Sequence, residues 1–367
     1  MSKRKKNEQT TDQKYWSEYT NLQHIKHQIL RKYLDAWFPI LTRFNGHVSY
    51  IDTHAGRGKY KHGQPGSPIV ALKSLVNHAH REAILKNSSV SFFFIERYPD
   101  SIQELQAEAD KLGKLPPGIT CSFVENDHQR VFESLCERLD KNPNSYLVPS
   151  FIFYDPYSFL MPLDLLARIL SESKCEVFMN FMWRYLNLAI HNPQLGQHEK
   201  LDNMFGDDSW RSLLTVPSAE RCDAALDLVR QKLNAKYMWA VRMYGDHNEL
   251  KYALVHFANH EMGFQKMKDA VWSAAPDGIF EFWQKDDPNQ ETLVVAEPSL
   301  TPIENMLRDH FGKEPFRLHD GYKVIDPTIY RRTHYHQVVK KLIKNSKAKH
   351  LDEERFVIKN NPQIQLD

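Results

Sequence analysis

The feature that most constrains this chain is a regular alternation of short apolar strands and amphipathic helices between residues 48 and 181. Apolar and β-branched runs predict strands over Val48 to Asp52, Val90 to Glu96, Thr120 to Val124, Ser150 to Tyr154 and Glu176 to Phe181. Helical spacing predicts helices over Ser67 to Val76, Ser101 to Leu112, Gln129 to Leu139 and Leu163 to Leu170. Strands that alternate with helices form a parallel sheet covered on both faces. A longer helix precedes them over residues 20 to 44, where Leu22, Ile25, Ile29, Leu30, Tyr33, Leu34 and Trp37 recur at helical spacing before Asn45-Gly46 ends it.

Residues 184 to 235 read as helical, an insertion expected to cap the sheet's active edge. Tyr237 to Tyr244 and Leu250 to Ala258 flank Gly245-Asp246-His247-Asn248, a hairpin signal. Five βα units closed by an antiparallel hairpin is the chain order of a class I methyltransferase, not of an all-parallel dinucleotide fold. Beyond Pro302, helices at Ile303 to Phe311 and Tyr335 to Ile343 and a short strand at Phe356 to Ile358 suggest a winged helix-turn-helix. The expected organisation is a basic tail over 1–19, a Rossmann-like domain over 20–298 and a basic winged-helix-like domain over 299–367.

Hydrophobic residues are 41% of the 367, enough for a sizeable core, and no apolar run approaches the roughly 20 residues of a membrane span. Cys121, Cys136, Cys175 and Cys222 are scattered without a C-x-x-C pair, which argues against a zinc site or disulfide framework and fits a reducing cytoplasm. The net charge of +2 announces no partner, but residues 331–350 hold seven Lys/Arg and no acid. Arg331, Arg332, Lys340, Lys341 and Lys344 are the candidate nucleic-acid contacts there, against the plain reading of a solvated helix face. The same two readings hold for the basic start, Met1-Ser2-Lys3-Arg4-Lys5-Lys6.

The chemistry-bearing segment is Tyr50-Ile51-Asp52-Thr53-His54-Ala55-Gly56-Arg57-Gly58. A strand ends in an acid, and Gly56-x-Gly58 then lets the backbone turn and approach a ligand closely, although a tight turn alone also explains the pair. A second acid, Glu96, ends the next strand, where a carboxylate accepts both ribose hydroxyls. Dinucleotide enzymes place that acid roughly 20 residues beyond the glycines. Here Lys61 replaces the third glycine and Glu96 lies 38 residues past Gly58, which favours S-adenosylmethionine over NAD. Asn126-Asp127 after the third strand is either an adenine contact or a helix N-cap, and the two roles are compatible. Ser67 and Pro68 read as N-cap and first helical residue, at a helix start that also suits the cofactor's carboxylate. Asp155-Pro156-Tyr157 ends the fourth strand. Amino methyltransferases of nucleic acid place an acid or amide, then Pro-Pro and an aromatic, at this point to align an exocyclic amine and stack its base. A strand-ending Asp-Pro is also a plain helix-entry turn.

Taken in order, these residues resemble the three-Cys-motif partner (TcmP) family. The resemblance is carried by the run from Lys26-His27 to Leu34, Tyr50 to Gly58, Gly66-Ser67-Pro68, Phe94-Ile95-Glu96, Asp155-Pro156-Tyr157, and Tyr252 to Phe257 through His260, Gly263, Met267 and Trp272. Part of the set is similar to the large-subunit rRNA adenine-N6 methyltransferases. That likeness implies His27, His54, Ser67, Glu96 and Asp127 as cofactor contacts and Asp155 as the residue that borders the cofactor and takes the amine proton; Lys26, Asp52, Gly56 and Gly58 complete the expected cofactor-binding set, and Tyr157 the catalytic pair. The chain departs from it where Asp155-Pro156-Tyr157-Ser158 stands in place of Asp-Pro-Pro-Tyr. The TcmP resemblance also implies a separate partner protein with an iron-sulfur-like cysteine cluster. The expected function is methyl transfer to an exocyclic amine of RNA or DNA, the alternative being a non-catalytic nucleic-acid adaptor on the same scaffold.

Overall fold

The computed structural model describes residue 16 and residues 18–142, 144–157, 161–172, 174–192, 196–286, 297–352 and 356–367. The basic start at residues 1–6 and Ser158 lie outside them. The chain forms two compact units, Met1–Ala274 with Phe280–Glu291, and Ala275–Ile279 with Thr292–Asp367.

In the first unit, α1 (Asn21–Phe44) leads into β1 (His47–Asp52), α2 (Ser67–Val76), α3 (Arg81–Leu85), β2 (Ser89–Glu96), α4 (Pro99–Asp110), β3 (Ile119–Glu125), α5 (His128–Lys141), β4 (Ser150–Tyr154), α6 (Leu163–Leu170) and β5 (Glu176–Phe181). Then come α7 (Trp183–His191), α8 (Gln197–Phe205), a 3-10 turn at Ser209–Leu214, α9 (Arg221–Lys232), the hairpin β6 (Tyr237–Tyr244) and β7 (Leu250–Ala258), α10 (Glu261–Ala274) and β8 (Glu281–Trp283). The sheet order is β3-β2-β1-β4-β5-β7-β6-β8, with β1 to β5 parallel and β7 antiparallel to both β5 and β6. This is the class I methyltransferase arrangement, extended by β8, three residues parallel to β6 that show no alternation in the sequence.

Alternate strand residues serve opposite faces. Tyr50, Phe92, Phe94, Phe151, Phe153 and Phe178 form an aromatic layer, met by Tyr33, Trp37 and Phe38 of α1. Ile51, Ile95, Ile152, Tyr154, Val177 and Met179 face a second core built from α5, α6, α7 and the 184–235 region. That region corrects one expectation. Leu201, Met204, Phe205, Trp210, Leu226 and Val229 pack into the core under the sheet, so these residues cover a face, while Tyr185, with Met182 just ahead of the insertion, reaches the active edge.

The second unit runs α11 (Thr301–Phe311), β9 (Phe316–Arg317), a 3-10 turn at Leu318–Asp320, α12 (Gly321–Ile325), α13 (Arg332–Lys344), β10 (Ala348–His350) and β11 (Gln363–Leu366), with β11 antiparallel to β10 and β9. Ile303, Leu307, Leu318, Ile325, Tyr335, Val339, Leu342 and Ile364 are its core. The strand expected at Phe356 to Ile358 is not formed. Ile358–Asn360 is a 3-10 turn, Asn361 takes a left-handed φ of 48°, and Pro362 follows, so pairing starts only at Gln363. No helix among the described residues is long and apolar enough to cross a membrane.

Candidate functional site

The turn after β1 is built around Asp52. Its carboxylate is fully buried and accepts the His54 backbone N–H at 3.2 Å, the Tyr50 hydroxyl at 3.3 Å and the Ser67 side chain. The N-cap of α2 is Gly66, not Ser67, because the Ser67 hydroxyl is directed to Asp52 and so ties the helix start to the strand end. Pro68 sits in the first helical turn, as its fixed φ allows. Gly56 and Gly58 have φ of 60° and 75°. A Cβ at Gly58 would stand 2.6 Å from Leu105 Cδ1, and one at Gly66 would stand 3.2 Å from the Gly58 carbonyl carbon, so both glycines answer a close approach as well as a turn. At Gly56 the neighbour is the indole of Trp16, which also packs on Tyr60 with ring centroids 4.7 Å apart.

Burial pushes the Asp52 carboxyl up to about 7, and nearby Asp155 adds to the rise against the donors on Ser67, His54 and Tyr50. Because the folded value exceeds the ordinary one, this group adds stability that is fully present below about pH 4 and is lost as pH rises through about 7. The gap corresponds to about 4 kcal/mol. Urea denaturation between pH 5 and 8 should therefore show Asp52→Asn gaining on the wild type as pH rises. Parallel profiles would mean that Asp52 is ionised throughout.

Glu96 ends β2 beside this turn. Its Oε2 accepts the Gly56 N–H and its Oε1 the Tyr98 N–H, each at 3.0 Å, so backbone donors hold both oxygens at the turn. The Asn126 N–H donates to the Glu96 carbonyl at 3.1 Å, bringing the loop after β3 alongside. There Asp127 caps α5, accepting the Gln129 N–H at 3.0 Å. The His54 ring packs on His128 at 4.3 Å and on Tyr154 at 5.6 Å. Burial, His128 and Arg97 hold its pKa well below the ordinary histidine value, so the imidazole is neutral.

Asp155 is the centre of a second group. Lys26 of α1, buried, makes an ion pair with its Oδ2, and the Asn180 amide at the end of β5 donates to its Oδ1 at 2.6 Å. Burial disfavours the Lys26 charge, but Asp155, with Tyr252 and Tyr60, more than offsets it and raises the pKa, so Lys26 is an ammonium. With its NH2 turned to Asp155, the carbonyl oxygen of Asn180 is left buried without a hydrogen-bond partner among the described residues. An orphaned acceptor of this kind calls for a reason.

These groups share a cleft of about 640 Å³ at the carboxyl ends of the strands. Lys26, His27, His54, Ser67, Asp155 and Tyr157 line it, together with Trp16, Tyr60, Asn180 and Tyr252. His27 is buried and held well below its ordinary pKa by burial, Lys26 and His24, with its Nδ1 3.1 Å from the Tyr19 hydroxyl. Tyr157 is 44% exposed at the mouth. Asp52, Gly56, Gly58, Glu96 and Asp127 do not line this cleft and form the turn and strand ends behind it. Asn180, Trp16 and Tyr60 were not singled out in the sequence, and Tyr252 was named there without a role in the site. Of these, Asn180 carries a signal, a lone amide in the otherwise apolar run Val177 to Phe181.

In the second unit, α13 carries Arg332, Lys340, Lys341 and Lys344, with Arg331 as its N-cap. Arg332 is engaged internally, donating to Asp326 at 2.9 Å and stacking 4.2 Å over Tyr322, while Arg331 lies 2.8 Å from His334. Lys340, Lys341 and Lys344 are exposed.

No family model and no curated protein matches the chain. Among solved structures it is similar to protein LPL1258 from Legionella pneumophila, at 14% identity and a TM-score of 0.37 over 69% of this chain and 91% of that one. It is also similar to Trm1 from Pyrococcus horikoshii, solved with S-adenosyl-L-methionine, at 10% identity and a TM-score of 0.36 over 95% and 91%. A third is a SAM-dependent methyltransferase from Agrobacterium tumefaciens, at 10% identity and a TM-score of 0.31 over 62% and 61%.

Proposed function

We propose that this chain is an S-adenosylmethionine-dependent methyltransferase that acts on an exocyclic amine of a nucleic-acid base. The observation that carries the reading is the meeting, in one cleft, of a carboxylate with an unpartnered amide oxygen, next to a glycine turn braced by Glu96. The residues fit the cofactor. Glu96, held at the turn by the Gly56 and Tyr98 N–H groups, is the carboxylate offered to the ribose hydroxyls, the neutral His54 stands beside the turn, and Ser67 opens a helix at the cleft wall.

Bound there, the cofactor would supply an electrophilic methyl group on a sulfonium. The chain's own part is alignment. Asp155 and the free oxygen of Asn180 accept the two hydrogens of the amine and so fix the direction of its lone pair, while the exposed ring of Tyr157 stacks on the base. Asp155 is also the group that takes the proton the nitrogen gives up as it gains the methyl. We take residues 20–298 as the catalytic domain. We read residues 299–367 as a winged-helix module on the strength of its helix-strand-helix-helix-strand-strand order, with Lys340, Lys341 and Lys344 as its phosphate contacts.

One observation favours the non-catalytic adaptor. Both oxygens of Asp155 already have donors within the protein, from Lys26 and Asn180. Calorimetric titration with S-adenosylmethionine separates the readings. Wild type should bind in the micromolar range, and Glu96→Ala should weaken binding by at least tenfold, since a lost charged hydrogen-bond acceptor is worth about 1.5–3 kcal/mol. A silent wild type leaves the adaptor, and undiminished binding by Glu96→Ala removes Glu96 from the pocket.

A further inference from the structure

A second concavity, of about 920 Å³, runs between α1 and α2 and ends against the segment Asn77 to His80. On α1 it is lined by one helical face, His24, His27, Gln28, Arg31, Lys32, Asp35 and Pro39, at steps of three and four residues. The 16 residues of helix from His24 to Pro39 span about 22 Å. Lys73 of α2 stands on the other wall. His27 lines both this groove and the cleft that holds Asp155, so the two adjoin at that side chain.

Charge sets the groove apart from the other concavities of this unit. In the pocket beside Trp16, two of the three cations, Arg57 and Lys59, are paired with Glu104 at 3.1 Å and Glu108 at 3.5 Å, Lys61 being the third. In the cleft, Lys26 is paired with Asp155, and Lys251 shares the wall with Glu18 and Asp246. In the groove, Arg31, Lys32 and Lys73 face one acid, Asp35, which reaches Arg31 at 3.9 Å. Among the described residues, Lys32 and Lys73 have no carboxylate at ion-pair distance, and all three cations are exposed. The floor is held by His78, whose ring lies 2.9 Å from the Asp35 carbonyl through Nε2 and accepts the His80 N–H at 3.0 Å through Nδ1. That arrangement ties α1 to the chain leaving α2.

We propose that this groove is the track for a single-stranded stretch of the substrate, its phosphates on Arg31, Lys32 and Lys73 and its target base delivered past His27 to Asp155. The proposal rests on the methyltransferase reading of the cleft and extends it. A polyanion answers a cationic excess that the protein leaves uncompensated. An amine presented for alkylation must be out of a base stack, so the approach to such a cleft carries single strand. At one phosphate per about 3.4 Å of stacked strand, the groove is long enough for all three cations to be used at once.

The test uses the full chain and a fluorescein-labelled 12-nucleotide single-stranded RNA, its DNA counterpart and the corresponding duplex, with anisotropy titrations between 50 and 200 mM salt. The triple variant Arg31→Glu/Lys32→Glu/Lys73→Glu should lose more than tenfold in single-strand affinity. Its slope of log affinity against log salt should be shallower by about 2, the value for three phosphate contacts. Its melting temperature and its S-adenosylmethionine affinity should match the wild type, since these three residues lie outside the cleft. Single-strand binding by the triple variant at wild-type strength and slope would overturn the track, as would a wild type that binds no oligonucleotide, or one that binds the duplex equally well with the same dependence on the three cations. If the track behaves as expected but wild type fails to bind S-adenosylmethionine, the cofactor reading falls and the binding surface stands. If cofactor binds and the triple variant is indifferent, the reverse holds.

Discussion

Asp155→Ala is expected to reduce methyl transfer by about 10³-fold while S-adenosylmethionine affinity stays within about tenfold. The measurement is incorporation of tritiated methyl from the cofactor into total RNA or DNA, at a temperature where circular dichroism shows the variant folded. The conservative change, Asp155→Asn, is expected to lose nearly as much. Lys26 demands an oxygen, so the new amide must turn its NH2 toward Asn180, and two NH2 groups then face each other. Asn180 relieves this by reversing its own amide, which presents an NH2 to the cleft where its oxygen had been. An acceptor pair becomes a donor, the wrong partner for an amine. Asn180→Leu, which removes that oxygen and leaves the Lys26–Asp155 pair, should lower kcat more than it changes cofactor affinity. Undiminished transfer by Asp155→Ala would remove Asp155 from the chemistry.

Much of the fold was legible because its signals are local. A buried parallel strand is an apolar run bounded by turn residues, and β1, β2, β4 and β5 are runs of that kind, so their ends were found within about two residues. The glycines after β1 were legible because positive φ and a closely approaching neighbour both exclude side chains there. Short elements were not. β8 has three residues and α12 five, too few for either periodicity to show, and β8 is held by pairing with β6 about 40 residues earlier. Phe356 to Ile358 looked like a strand by composition, but backbone pairing depends on register, and the turn ending at Asn361 shifts it to Gln363. The candidate site divides in the same way. Glu96 and Asp155 stand at strand ends and could be read there. That Ser67 bonds Asp52, that Asn180 bonds Asp155, and that Lys26 reaches Asp155 across 129 residues are tertiary facts with no local signature.

The Lys26–Asp155 pair should also dominate the stability of this region. Either single change, Lys26→Met or Asp155→Leu, is expected to cost about 3–5 kcal/mol, because each strands a charge in a site with little solvent. The double change should cost much less than the sum, with a coupling of at least about 2 kcal/mol in a double-mutant cycle followed by urea denaturation. pH supplies an independent check of sign. In the wild type Asp155 holds the Lys26 pKa above its ordinary value, so its contribution is constant at every pH below about 10 and falls only above that. Without Asp155 the effect of burial, which lowers that pKa, is no longer offset. Asp155→Leu should therefore gain stability between pH 7 and pH 10, as its lysine sheds the proton, while the wild type draws no such gain from this residue. A coupling near zero, or a variant whose stability runs parallel to the wild type across that range, would mean that Lys26 reaches water by another route and that the ion pair does not organise the cleft.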